Sequence, residues 1–289
     1  MASTNTPPSL HKYFPPERID SLERLEIAFS PLNSFNDPFE GRPEIHGMTS
    51  DDHLVKTLRE KFPAAMREKY DALPKERKDL VDFETFSEKM LAMADSSLAG
   101  EAEKFQAFLT AFAKTIPDQM SKIMGAMCLC ETKDSLLMWA HYAKSHTGFV
   151  IEFDTSSPFF NRMRTDKDEN YHLRRVLYRS RRPSGHVIDF DGTELFLVKS
   201  DDWAYEKEWR IFAPLGEADR TIQAGGNTIS LFTIPIDCIK SVTIGARAPD
   251  YVQSAVCAFA INSRAHKISV YQAIPSPSHF MLDFEKLAI

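Results

Sequence analysis

AMCLCETKDSLLMWAHYAKSHTGFVIEFD, Ala126–Asp154, is the stretch on which the fold turns. Its first five residues form a short apolar run and read as a buried strand. Asp134 stands where it can cap a helix running through DSLLMWAHYAKSH. Gly148 follows, placed to end that helix in the left-handed conformation. Phe149 to Phe153 then reads as a second strand.

Working outward, LHKYF reads as a strand or its lead-in, Ile19–Leu25 as a helix, and the alternation in LEIAFS as a strand over Leu25–Ser30. PLNSFNDPFEGRPE is rich in Asn, Asp, Pro and Gly and must be an ordered loop. Between Thr49 and Lys122 the character changes to Lys, Glu, Ala and Leu. Pro63, Pro74 and Pro117 are expected to cut this region into three or four helices. Phe105, Phe108, Leu109, Phe112 and Ile116 form a helical stripe, which is expected to be buried. Beyond Asp154, RRVLYR, EWRIFAPL, TISLFTIP, SVTIGA and KISVYQA read as strands, Glu194–Lys199 as helical, and Pro249–Asn262 as a helix. The expectation is one α+β domain over residues 1–289. Its core is a mainly antiparallel sheet, and residues 50–122 form a helical insert.

The 289 residues are 43% hydrophobic, enough to build a core without disulfide staples. The net charge of −6 argues against a general electrostatic footprint for nucleic acid or anionic membrane, while leaving a local basic patch open. Cys128, Cys130, Cys238 and Cys257 lie in apolar runs, as reduced core cysteines do, so neither a disulfide nor a metal is expected. The opening MASTNTPPSLHKYFPP lacks a secretory pattern, and no apolar stretch approaches a membrane span. A cytoplasmic protein without a membrane partner is the expectation.

Three motifs carry the candidate chemistry. In FNDPFEG, Asn36 and Asp37 either set an Asx turn or, with Glu40, face a ligand. In LLMWAHYAKSH, Trp139, His141 and Tyr142 are either packing groups or the wall of a stacking pocket. In YEKEWR, Glu206, Glu208 and Arg210 share one side if the segment is extended, which is costly when buried and meaningless when exposed. RRVLYRSRR, Arg174–Arg182, adds five arginines that are either solvated or meet phosphates.

These blocks resemble a bacterial family catalogued as domain of unknown function 2971. The likeness runs through Lys12-Tyr13 and FSPLNSFNDPFE, then the block Met127–Asp154, then KSDDWAYEKEWR, with a looser match over Ile239–Gly245. Family members usually carry Phe-Ser after the first cysteine of the second block, where this chain has Leu129-Cys130. The order of blocks is also similar to ADP-ribosyltransferases, whose late strand carries an E-x-E motif like Glu206-x-Glu208. That likeness implies NAD as a substrate and a protein or nucleic acid as acceptor. It makes Glu208 the catalytic carboxylate with Glu206 as its partner, and His141 and Tyr142 pocket walls. Lys12 and Tyr13 would hold the cofactor, with Asn36, Asp37, Trp139 and Arg210 completing its site. A non-catalytic nucleotide or protein sensor and a carboxylate-dependent hydrolase stand as alternatives.

Overall fold

The computed structural model describes residues 6–190, 192–224 and 226–289. From the N-terminus run β1 (Ser9–Phe14), α1 (Ile19–Arg24), β2 (Glu26–Pro31), β3 (Glu44–Gly47), α2 (Asp51–Asp71), α3 (Lys75–Lys78) and α4 (Phe83–Ala113). There follow α5 (Ile116–Ile123), β4 (Met124–Cys130), α6 (Leu136–His141), β5 (Phe149–Asp154), β6 (Arg174–Arg175), β7 (Leu177–Arg179) and β8 (Ser184–His186). The remainder holds β9 (Val198–Ser200), β10 (Glu208–Pro214), β11 (Arg220–Ala224), β12 (Asn227–Thr233), β13 (Ile239–Ile244), α7 (Asp250–Asn262), β14 (Ser269–Pro275) and β15 (Leu282–Lys286). The chain divides into two compact units, one of Met1–Arg42, Asp118–Arg182 and Gly192–Ile289, the other of Pro43–Pro117 and Pro183–Asp191.

The first unit is built on a mainly antiparallel sheet, as expected of the α+β class; β13 with β14 is its parallel pair. Its hub is β4. One edge of β4 carries β10 along its whole length, from Glu208 opposite Cys130 to Pro214 opposite Met124. The other edge is shared. β2 pairs the start of β4 through Ser30 and Ala126, and β1 pairs its end through His11 and Cys130. Between those two pairings, Met127, Cys128 and Leu129 face no strand on that edge, so the sheet forks there.

Alternation along the strands separates two faces. Met127, Leu129, Trp209, Ile211 and Ala213 enter the main core, which α7 closes with Val252, Val256 and Ala260 at one-turn spacing, beside Leu22 of α1. Ala126, Cys128, Cys130, Glu208 and Arg210 occupy the other face. The four cysteines are free.

Local details correct the sequence reading. Ser135, not Asp134, caps α6, its hydroxyl accepting from the Met138 amide at 3.3 Å. Helix α6 ends early, and Lys144, Ser145 and His146 take the left-handed conformation in place of Gly148. Gly148 is needed for a different reason: a Cβ there would stand 1.9 Å from the Phe14 carbonyl oxygen.

In the second unit, β3 pairs with β8 in parallel, and α2 packs on α4. Ser50 caps α2 and Asp82 caps α4 through side-chain bonds to His53 and Thr85 amides. The Tyr70 ring meets Phe83 and Phe86, and the Arg67 guanidinium lies 3.6 Å from the Phe83 centroid. Pro63 sits inside α2 without ending it. The phenylalanine stripe of α4 is not buried: Phe105, Phe108 and Phe112 are 48%, 64% and 52% exposed. Periodicity marks a shared face and does not say what covers it. Among the described residues, no helix is long and apolar enough to cross a membrane.

Candidate functional site

The fork in the sheet opens into a cavity of about 290 Å³ within the first unit. β1 contributes His11, Lys12 and Tyr13, and the loop after β2 contributes Phe35, Asn36 and Glu40. Cys128 and Cys130 come from β4, Met138 and Tyr142 from α6 and its end, and Lys199 from β9. Glu206, Glu208 and Arg210 complete the lining from β10 and the turn before it. The fork also explains Lys12. Its ammonium donates at 3.0 Å to the Cys128 carbonyl, in the stretch of β4 that has no strand opposite. Burial pushes Lys12 below its ordinary value, with Glu208 pulling the other way.

At one end of the cavity lies a buried charge cluster. The Lys199 ammonium stands 2.5 Å from Glu206 Oε2, 3.1 Å from Glu208 Oε2 and 3.6 Å from Glu40 Oε2. Arg210 clamps Glu208 with two bonds, Nε to Oε1 at 2.7 Å and Nη2 to Oε2 at 2.9 Å. It also pairs with Glu40 and donates to the Phe196 carbonyl at 2.6 Å. Such charges survive burial only when they are paired and hydrogen-bonded; Lys199, Arg210, Glu206 and Glu208 are, whereas Glu40 is ion-paired and its Oε1 has no hydrogen-bond partner. Burial holds Glu208 above the usual carboxylate range, opposed by Lys199 and a bond from the Cys128 thiol. For Lys199, burial works against the charge. Glu208 and Glu206 outweigh it, and the ammonium is held above its ordinary value.

Glu206 reaches this cluster by a route unlike the extended strand expected. It ends a 3-10 turn over Asp201–Glu206, and Lys207 then takes a left-handed φ of 45° before β10 begins at Glu208. The turn aims the Glu206 carboxylate at Lys199 and at Tyr142, whose hydroxyl donates to Glu206 Oε1 at 2.5 Å. Asn36 donates to that same hydroxyl at 3.3 Å. Burial, then Glu206, raises Tyr142 above its ordinary value, so the phenol keeps its proton.

Lys12, Tyr13, Asn36, Tyr142, Glu206, Glu208 and Arg210 thus share one cavity. Three other residues singled out in the sequence do not line it. Asp37 is occupied by an Asx turn, its Oδ1 accepting from the Phe39 amide at 2.9 Å. Trp139 is fully buried, donates to the Lys133 carbonyl at 2.7 Å and packs edge-on against Tyr13. His141 is exposed, its ring near those of Tyr142 and Trp203. The sequence reading passed over Lys199 and His11. A lysine closing the apolar run LFLVK was the available signal, because buried lysines require partners.

The family model described as Protein of unknown function (DUF2971) matches residues 138–211. The match supports the family resemblance, and it spans the part of the chain that carries Tyr142, Lys199, Glu206, Glu208 and Arg210. Lys12, Tyr13, Asn36 and Glu40 reach the cavity from outside the matched segment. No curated protein and no solved structure matches the chain.

Proposed function

We propose that this chain is an NAD-consuming, ADP-ribosyltransferase-like enzyme that works on a macromolecular acceptor. One observation carries the reading: Glu206 and Glu208 line the same cavity as Tyr142, Asn36, Lys12 and Tyr13, although the blocks that hold them are far apart in sequence. Breaking the bond between nicotinamide and ribose builds positive charge at the ribose carbon, and a fixed carboxylate stabilises that charge. Nicotinamide leaves with the electron pair of the broken bond. An acceptor oxygen or nitrogen then forms the new bond, and its proton passes to a carboxylate.

The roles divide differently from the sequence expectation. Both oxygens of Glu208 are already held, by Arg210 and Lys199. Glu206 Oε1 is held by the Tyr142 hydroxyl, a contact that a ribose hydroxyl can replace. Glu206 therefore faces the reacting centre, and Glu208 orients Lys199. Tyr142 offers an aromatic face to the nicotinamide. Lys12 supplies a cation for the phosphate side.

The same saturation of Glu208 favours, as the second reading, a non-catalytic nucleotide sensor. The hydrolase alternative draws no support, since Lys199 stands at the point where three carboxylates converge. Calorimetric titration with NAD tests the proposal. One site per chain is expected, weakened in Tyr142→Ala by more than its loss of the Glu206 hydrogen bond lowers the melting temperature. Binding of other nucleotides without NAD binding moves the assignment to the sensor.

A further inference from the structure

The loop that supplies Asn36 and Glu40 to the cavity turns Phe39 the other way. Phe39 is 60% exposed. The loop is fixed beneath it by the Asp37 turn and by Gly41, whose φ of 65° sets its backbone against the Phe196 ring. The Arg182 guanidinium stands 5.8 Å from the Phe39 centroid and is held there by bonds to the Arg42 carbonyl.

Arg182 ends the arginine-rich run that the cluster chemistry left unexplained. From Arg174 to Arg179 the run is extended and alternates, and a bend at Ser180 and Arg181 follows. Val176 is buried and Tyr178 turns inward to accept from the Glu208 amide at 2.7 Å, while Arg175, Leu177, Arg179 and Arg181 are exposed. β7 pairs with β9 so that Tyr178 lies opposite Lys199, which places Arg179 on the reverse of the strand that walls the site. Arg174 and Arg175 have Glu169 and Glu131 as partners. Among the described residues, no carboxylate lies within ion-pair distance of Arg179 or Arg181. The run contains no acidic residue, in a chain whose net charge is −6.

We infer that Phe39, Arg179, Arg181 and Arg182 dock a single-stranded nucleic acid, which is the acceptor class for the transferase proposed above. Unpaired guanidiniums in a row suit a phosphate backbone, and an exposed ring flanked by a guanidinium suits an unstacked base. A folded acidic protein would use the charges but has no need of the ring.

The test is binding of a labelled mixed-sequence single-stranded oligonucleotide across a salt series, without NAD. Wild type should bind, with affinity falling as salt rises. Arg179→Glu/Arg181→Glu should weaken binding at least tenfold and flatten the salt slope by about 1.4, two contacts at roughly 0.7 each. Phe39→Ala should weaken it roughly five- to a hundredfold with the salt slope unchanged. Melting temperatures should match wild type for all variants. Absence of binding at low salt, equal binding by the variants, or equal competition by polyglutamate would each overturn the inference. Because NAD is left out, a protein that binds the strand but never releases nicotinamide keeps this surface and loses the transferase reading. The reverse result loses only the surface.

Discussion

The Lys199 ammonium lies 2.5 Å from the Glu206 carboxylate, and each side chain is 3% exposed. Lys199 is the one cation shared by Glu40, Glu206 and Glu208 among the described residues. Lys199→Met keeps the volume and removes the charge, leaving Arg210 on Glu40 and Glu208 and Glu206 without a cation. Breaking a buried pair from one side typically costs about 3–5 kcal/mol, and denaturant unfolding at pH 7 should show a loss of that order. The folded value of Lys199 lies above its ordinary 10.5, so its contribution is complete below that pH and is lost as pH rises through the folded value. The gap between wild type and variant should therefore close only in strong alkali.

Two histidines, His11 buried and His146 half-buried, set the acid limit. His11 and His146 are both held below the ordinary value of 6.5, chiefly by burial; Glu152 opposes that for His11, and Arg247 adds to it for His146. The unfolded chain takes up these protons first. Stability is thus present above pH 6.5 and falls as pH drops through the folded values. The melting temperature should decline between pH 7 and pH 5. The double variant His11→Gln/His146→Gln should decline less steeply over the same range.

Gly148→Ala tests the turn behind the site. The added Cβ meets backbone, the Phe14 carbonyl at 1.9 Å, and backbone on both sides would have to shift. A destabilisation well above the ~1 kcal/mol of a typical substitution is expected in chemical denaturation.

Phe108→Ser should change stability by no more than about 0.5 kcal/mol, because the ring is 64% exposed and its removal opens no core cavity. A loss of several kcal/mol would restore the buried stripe read from the sequence.

What could be read in advance divides along physical lines. Strand alternation made β2 visible, and the polar and aromatic density of three blocks marked the residues that meet at the cavity. Three residues singled out in the sequence stay outside the cavity, because a side chain's type does not say where it points or whether a local bond has already claimed it. Asp37 is taken by its own turn, Trp139 by the Lys133 carbonyl and the core, and His141 is left at the surface. Lys199 was missed because one partner, Glu40, comes from a distant loop and because the turn over Asp201–Glu206 that folds Glu206 back onto it has no local signature. The fork at β4 was not visible either, because it depends on β1 and β2 sharing one edge, which no local pattern records.

The central claim is that the Glu206 carboxylate drives departure of nicotinamide from NAD. The most direct measurement is nicotinamide release by wild type, Glu206→Gln and Glu208→Gln, with single-stranded nucleic acid and cell lysate supplied as acceptors and melting temperatures recorded alongside. Glu206→Gln should lower the rate about a hundred- to a thousandfold, far more than its weakened pair with Lys199 lowers the melting temperature. Glu208→Gln should lower both, because it also loosens Lys199 and Arg210. Release by Glu206→Gln at the wild-type rate, or no release by wild type with any acceptor, would contradict the account.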